Sequence, residues 1–266
     1  MSRARAGEIF SFRISLLGYT HRMALSIIIP ALNEAKALPV TMACLHRLDP
    51  APAEIIVVDG GSGDGTAALA QVNGASLVLS ATGGRAAQMN LGAAHATGDL
   101  LCFLHADTDL PTDFVALTTE VLADPKTALA GFISVMRGPR GVRRLTTAHN
   151  FLKTWYAPLL FRTVSFFHGC RLLFGDQVMV CRRADFEAVG GWSADQVIME
   201  EADLCLRMVR GGFGRVRQVP RKVWSSDRRV AEWGFWRANL TFLYVGLMWG
   251  FGAPPAQLAR HYEDVR

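Results

Sequence analysis

Leu100-Leu101-Cys102-Phe103-Leu104 is an unbroken apolar run that leads, through His105 and Ala106, to two carboxylates one residue apart, Asp107 and Asp109. Five apolar residues between Asp99 and Asp107 suit a strand covered on both faces in a parallel sheet. Such sheets bind ligands at the carboxyl ends of their strands. Two hard oxygen ligands at that edge suit Mg²⁺ or Mn²⁺, which takes its remaining ligands from water and substrate phosphates. The same Asp-Thr-Asp-Leu-Pro stretch also reads as the cap of a helix opening at Pro111-Thr112-Asp113.

The 266 residues suffice for one large α/β domain, and 50% apolar against 19% charged residues excludes a disordered chain. The net charge of +5 is mostly arginine, dense in the segments 137–144 and 207–229. Such clusters suit phosphate groups, or form a solvated basic face. No basic stripe is interleaved with stacking aromatics, which argues against nucleic acid. Cys44, Cys102, Cys170, Cys181 and Cys205 are odd in number and form no CxxC pair. That pattern points to reduced thiols in the cytoplasm and away from zinc.

Residues 1–22 carry four arginines and only a short apolar stretch, unlike a signal peptide. They are expected to be a disordered extension ahead of a folded unit that starts at Met23. From there to Asp109 strands and helices alternate. Strands are expected at 27–29, 54–59, 76–80 and 100–104, and helices at 34–48, from Gly65 to Asn73, and at 86–96. This alternation gives a parallel sheet with right-handed crossovers.

All four strands deliver polar residues to one edge: Asn33-Glu34, then Asp59 with its glycines, then Gly83-Gly84-Arg85, then Asp107 and Asp109. Four such loops in register point to a nucleotide site. Asp59 precedes its glycines, which is not the dinucleotide fingerprint and suits a base or ribose hydroxyl; it also suits a plain turn. Asp64 reads as a helix cap, and Arg85 as a phosphate contact or a surface charge.

Beyond residue 110 the expected elements are a helix at 114–122, a strand at 128–136 and a turn at 137–141. The aromatic-rich stretch 151–167, interrupted by Lys153 and Arg162, suits core packing or an acceptor or membrane face. Glu200-Glu201-Ala202-Asp203 opens an amphipathic helix. Three acids there are favoured by the helix macrodipole, yet acids this close also raise one another's pKa, as a general base requires.

Together Ser26–Glu34, Val57–Thr66, Asp107-Thr108-Asp109 and Glu200–Leu204 resemble family 2 glycosyltransferases of the GT-A fold. Gly84–Asn90, Phe103–Thr108 and Gly175-Asp176-Gln177 resemble a bacterial subgroup associated with radical-SAM or selenium-related proteins and arsenosugar biosynthesis. The resemblance implies a Rossmann-like, mostly parallel sheet and an inverting, metal-dependent transfer from a nucleotide-diphosphate sugar to an acceptor hydroxyl. It implies donor contacts at Pro30, Asn33, Glu34, Asp59, Gly61, Arg85, Asp107 and one of Arg228 or Arg229, with Mn²⁺ or Mg²⁺ at Asp107 and Asp109. Asp176 and Gln177 would lie near the acceptor or sugar. The catalytic base falls in the acidic motif, where Glu201 replaces the usual aspartate and reaches one methylene farther. Glu201 is the leading choice, with Glu200 and Asp203 as alternatives. Two other functions stay open: a polyprenyl-phosphate glycosyltransferase at the inner membrane, and a nucleotide-sugar-binding protein without turnover.

The glycosyltransferase domain is expected over 23–229 and a C-terminal helical segment over 230–266. Between Arg237 and Arg260 no charge occurs, but Asn239, glycines and prolines make this a poor membrane span. An amphipathic helix on the inner leaflet, with Arg228, Arg229 and Arg237 at anionic lipid, is one expectation, and a packing or dimer helix the other.

Overall fold

A computed structural model describes residues 23–261; the expected extension 1–22 lies outside them. The first half alternates as the sequence predicts: β1 (Leu25–Ala31), α1 (Leu38–Leu45), β2 (Glu54–Asp59), α2 (Thr66–Val72), β3 (Leu77–Ser80), α3 (Arg85–His95) and β4 (Leu100–Phe103). A short β5 (Thr108–Asp109) and α4 (Phe114–Ala123) follow. The second half holds β6 (Thr127–Gly138), β7 (Gly141–Val142), α5 (Arg144–Phe161), α6 (Thr163–Phe167), β8 (Met179–Arg182), α7 (Arg183–Ala188) and α8 (Glu200–Arg210). The chain closes with β9 (Arg215–Ser226), α9 (Arg228–Trp233), α10 (Phe235–Gly250) and α11 (Pro255–Ala259).

One sheet runs β3-β2-β1-β4-β8-β6-β9-β5, with β7 paired to β6. The first four strands are parallel, while β8 runs antiparallel to both β4 and β6. Beside them β6 and β9 pair in parallel over almost their full length. The parallel reading therefore holds for the first half, and the second half makes the sheet mixed. β4 is fully buried, and its alternate side chains enter two cores: Leu101 and Phe103 on one face, Leu100 and Cys102 on the other. Phe103 meets Trp192 edge-on with ring centroids 4.9 Å apart.

Two elements depart from expectation. The helix expected from Glu34 starts at Leu38, with Pro39 in its first turn, where a missing N–H is harmless. Asn33, at a φ of 55°, turns the chain before it, and Glu34 stays in the loop. The strand β9 lies in a segment read only as a basic cluster; its arginines mask the buried Val216, Val219, Val223 and Ser225. Residues past the expected boundary at 229 share the main core, because Val245, Trp249 and Leu258 pack in the cluster that holds Leu101 and Phe103. Among the described residues no helix is long and apolar enough to cross a membrane.

α3 lies close against the parallel strands. Gln88 Nε2 donates to the carbonyls of Ala31 and Val58, each at 2.8 Å, which fixes the helix at the ends of β1 and β2. Gly92 makes the approach: a Cβ there would stand 2.5 Å from Ile28 Cγ2 and 3.1 Å from Val58 Cγ2. Gly92→Val should overpack this contact and lower stability by about 1–3 kcal/mol in urea denaturation.

Candidate active site

The loops after β1 and β2 hold one another. Asn33 Oδ1 accepts the Gly63 N–H at 3.0 Å and the Asn33 N–H donates to Ser62 Oγ at 2.8 Å. Asp64 accepts the N–H groups of Ala35 and Thr66 and so ties the loop that carries Glu34 to the start of α2; the N-cap position itself is Gly65, not Asp64 as expected. Asp59 Oδ2 accepts the N–H groups of Gly61 and Ser62, both at 3.0 Å. Its other oxygen is buried without a partner. An unsatisfied buried acceptor is costly, and a ligand N–H or hydroxyl would relieve it.

Arg228 joins the two halves of the chain. Its guanidinium donates to both oxygens of Glu34, at 3.0 and 2.8 Å, and to Asp107 Oδ2 at 3.3 Å. Burial pushes Asp107 up to about 6, against the pull of Arg228. Asp109 is more exposed and pairs with Arg137 at 3.1 Å. Between them Thr108 is buried; Asp107 lies in the turn just before β5 and lines the cavity, and Asp109 lies in β5 itself. Among the described residues no three His, Cys, Asp or Glu side chains gather to hold an ion by themselves. Two carboxylates, one held partly neutral by burial, nonetheless fit a hard divalent cation that draws other ligands from phosphate and water.

The acids of α8 separate into two roles. Glu200 and Glu201 are buried on the cavity side, and Arg85 Nη1 stands 3.5 Å and 3.3 Å from their Oε1 atoms. Burial, then the neighbouring Glu200 charge, pushes Glu201 up to about 7, against Arg85. The helix N-terminus favours anions, but here desolvation dominates. Asp203 takes Arg207 Nε at 2.7 Å and is not among the residues that line the cavity. His105 Nε2 lies 3.5 Å from Arg85 Nη1, and burial together with the Arg85 charge pushes its pKa down to about 3, so it is a neutral imidazole.

Gly175 lets this cluster close. A Cβ at that position would overlap His105 Nε2 and stand 2.5 Å from Glu201 Oε1. The following Asp176 lines the cavity and accepts a hydrogen bond from Asn150 Nδ2. Gln177, predicted beside the acceptor, is instead fully buried: its amide bonds Thr154 Oγ1 and accepts the Phe174 N–H, holding the loop from behind.

These groups line a cavity of about 280 Å³ that Pro30, Glu34, Arg85, Asp107 and Arg229 share with Glu200 and Glu201. Asn33, Asp59, Gly61 and Asp109 lie outside its wall, and the first three of these organise the loops beside it. Sequence reasoning assigned no site role to His149 and Asn150 and took Lys153 and Tyr156 only as part of a stretch suited to core packing or to an acceptor or membrane face; α5 presents all four to the cavity. Their spacing along one helix face was the available signal. Lys153 Nζ sits 3.7 Å over the Phe174 ring, its pKa lowered by burial against the charges of Asp176 and Glu201.

Residues 26–186 match the family described as glycosyl transferase family 2. The chain belongs to that family. It is 28% identical over 258 residues to the pre-mycofactocin glycosyltransferase of Mycobacterium tuberculosis H37Rv, covering 93% of this chain and 50% of the relative. It is 37% identical over 109 residues to an undecaprenyl-phosphate 4-deoxy-4-formamido-L-arabinose transferase of Sodalis glossinidius, over 37% of this chain and 33% of that protein. The chain thus spans half or less of the length of these curated relatives. Its fold is that of a Pyrobaculum calidifontis mannosyltransferase solved with GDP-Man and Mn²⁺, at a TM-score of 0.64 and 20% identity, over 93% of this chain and 67% of that one. The glucosyl-3-phosphoglycerate synthase of M. tuberculosis, solved with Mn²⁺, UDP and phosphoglyceric acid, gives 0.57 and 21%, over 87% and 80%. Both likenesses place the chain in the GT-A fold.

Because Glu201 holds its proton to a higher pH when folded than its ordinary 4.5, the folded state binds more protons than the unfolded chain between about pH 4.5 and 7. Stability therefore falls as pH rises through that window. Glu201→Gln removes this cost. It should be more stable than wild type at pH 8 by on the order of 1–3 kcal/mol, with the difference vanishing below pH 4.5, as read by urea denaturation at each pH.

Proposed function

We propose that this chain moves a glycosyl group from a nucleotide-diphosphate sugar to an acceptor hydroxyl with inversion, Glu201 acting as the base. The observation that carries the reading is the placement of Glu201. It is buried on the cavity wall, pushed up to about 7, and held by Arg85 in the cavity that also takes Asp107 and Arg228. A base is most effective with its pKa near working pH, where it is both ionised and basic enough to take the proton.

In this reading Asp59 and its glycine loop hold the nucleoside, and Asp107 and Asp109 hold Mn²⁺ or Mg²⁺. The ion supplies positive charge at the diphosphate. Arg228 and Arg229 meet the same phosphates, and Arg228 exchanges part of its pairing with Glu34 and Asp107 for the donor. The acceptor hydroxyl gives its proton to Glu201 as its oxygen attacks the anomeric carbon, and the carbon–diphosphate bond breaks on the opposite side. No covalent enzyme intermediate is needed. The metal-bound and nucleotide-bound structures of the two GT-A relatives support the donor class.

The motifs around Gly84, Phe103 and Gly175 support the radical-SAM-associated bacterial subgroup. Five buried, unpaired thiols support a cytoplasmic protein. Peripheral contact with the inner membrane is favoured by the exposed apolar side chains of Trp236, Leu240 and Tyr244 on α10 and of Phe251 just past its end. Those side chains and the Sodalis relative support the second reading, transfer to a polyprenyl phosphate. The third, binding without turnover, predicts no effect of Glu201 on chemistry.

Calorimetry with UDP, GDP and dTDP, each with and without Mn²⁺, tests the donor site. One nucleotide should bind in a metal-dependent manner and lose this in the Asp107→Ala, Asp109→Ala variant; no binding of any would sink the donor assignment. With the donor so identified, Glu201→Gln should keep nucleotide binding while transfer falls by about 10²–10⁴-fold. Wild-type kcat/KM should rise with pH through about 7 and level off above it.

A further inference from the structure

We propose that the acceptor binds in the part of the cavity between α5 and α10, and that its hydroxyl is carried on an apolar body, aryl or alkyl. This rests on the reading of Glu201 as the base. The two helices run side by side in the same direction: Asn239 Nδ2 reaches Thr146 Oγ1 at 3.3 Å near their starts, and Arg162 Nη1 donates to the Gly250 carbonyl at 2.9 Å near their ends. Phe161 and Phe251 meet edge-on there, with centroids 5.2 Å apart.

The wall of this chamber changes character along its course. Beside Glu201 it is polar, with Asp176, Asn150 and Lys153 close to one another. Farther along the helices it is formed by Phe161, Leu172, Val245, Leu247 and Trp249. A sugar acceptor would bring hydroxyls to every side of its ring, and those facing the apolar wall would lose hydrogen bonds to water without replacement. An alcohol on an apolar body meets both zones: its hydroxyl at Glu201, its body against the aromatic and aliphatic wall. The entry route fits the same chemistry. Leu243 and Leu247 line the cavity yet are 39% and 37% exposed, so they form its rim. Trp236, Leu240 and Tyr244 on the same helix, and Phe251 just past its end, are further exposed apolar side chains.

Gly246 gives a clean test. It lies on the chamber wall in α10, and a Cβ there would find no atom within 4 Å, so a larger side chain grows into open space. Leucine also favours the helix over glycine, which protects folding. The full chain, loaded with Mn²⁺ and the nucleotide found above, is titrated with 4-phenylbutan-1-ol in buffer and with dodecan-1-ol in phosphatidylcholine vesicles. Intrinsic tryptophan fluorescence reports binding, and glycerol is the polar control. Saturable binding of an apolar alcohol, weakened at least about tenfold in Gly246→Leu, is the expected result. Binding of phenylbutanol marks an acceptor taken from solution, and binding of the vesicle alcohol alone marks one taken from a lipid surface. Equal response to glycerol, no binding of either alcohol, or wild-type affinity in Gly246→Leu overturns the proposal. Nucleotide calorimetry on the same samples keeps the two readings apart: unchanged nucleotide binding leaves the donor site standing when the chamber fails.

Discussion

Charge balance in a confined space is the constraint on which the rest of this molecule depends. Six carboxylates line the cavity, Glu34, Asp107, Asp176, Glu200, Glu201 and Asp227, against four cationic side chains, Arg85, Lys153, Arg228 and Arg229. Burying like charges together is tolerable only where cations sit among them or where protons are retained. Both solutions operate here. Arg143 reaches in from behind to Asp227 at 2.6 Å, Arg228 spans Glu34 and Asp107, and Arg85 faces the Glu200–Glu201 pair. Burial, offset only in part by these cations and added to by neighbouring carboxylates, raises the proton affinity of Asp107 and Glu201. One carboxylate is thereby fit for a cation and another for a proton.

The topology delivers those groups from opposite halves of the chain. Parallel strands β1, β2 and β4 end at one edge and supply Glu34, Asp59 and Asp107, which is the ordinary place for a ligand in such a sheet. The reversal at β8 is what lets the second half return to that edge. From β8 the chain passes through α7 to α8, and β9 brings Arg228 within reach of Glu34 and Asp107, 194 and 121 positions earlier. Neither half would hold its charges alone, because Glu34 and Asp107 find their cation only in the second.

The first half was legible because its signals are local. Each apolar run from Leu25 to Phe103 is bounded by turn residues, and the period-2 burial of β4 follows from its composition. The polar ends of the strands fell where predicted, although Gly65 and not Asp64 takes the cap position of α2. The second half was harder because its determinants are distant pairings. β9 hides its buried valines among arginines, and no spacing rule announces that Gln177 braces a loop; the i,i+4 spacing of Asp203 and Arg207 was a local signal for their pairing. α5 was read as an aromatic stretch interrupted by a lysine. Spacing puts Lys153, Asn150 and His149 on one helix face, but it is the fold that turns this face to the cavity, while Leu152 and Leu159 are exposed.

The acidic motif shows how a local departure can be absorbed by a neighbour. The family resemblance implies an aspartate where this chain has Glu201, and an extra methylene carries the carboxylate farther into the cavity. The space for it is provided by Gly175, whose missing side chain would otherwise stand 2.5 Å from Glu201 Oε1 and overlap His105. Any residue with a Cβ at 175 would force Glu201 or His105 to move, and with them the contacts of Arg85 to both. The longer acid and the glycine therefore work as a pair separated by 26 positions, and the position of the base depends on both.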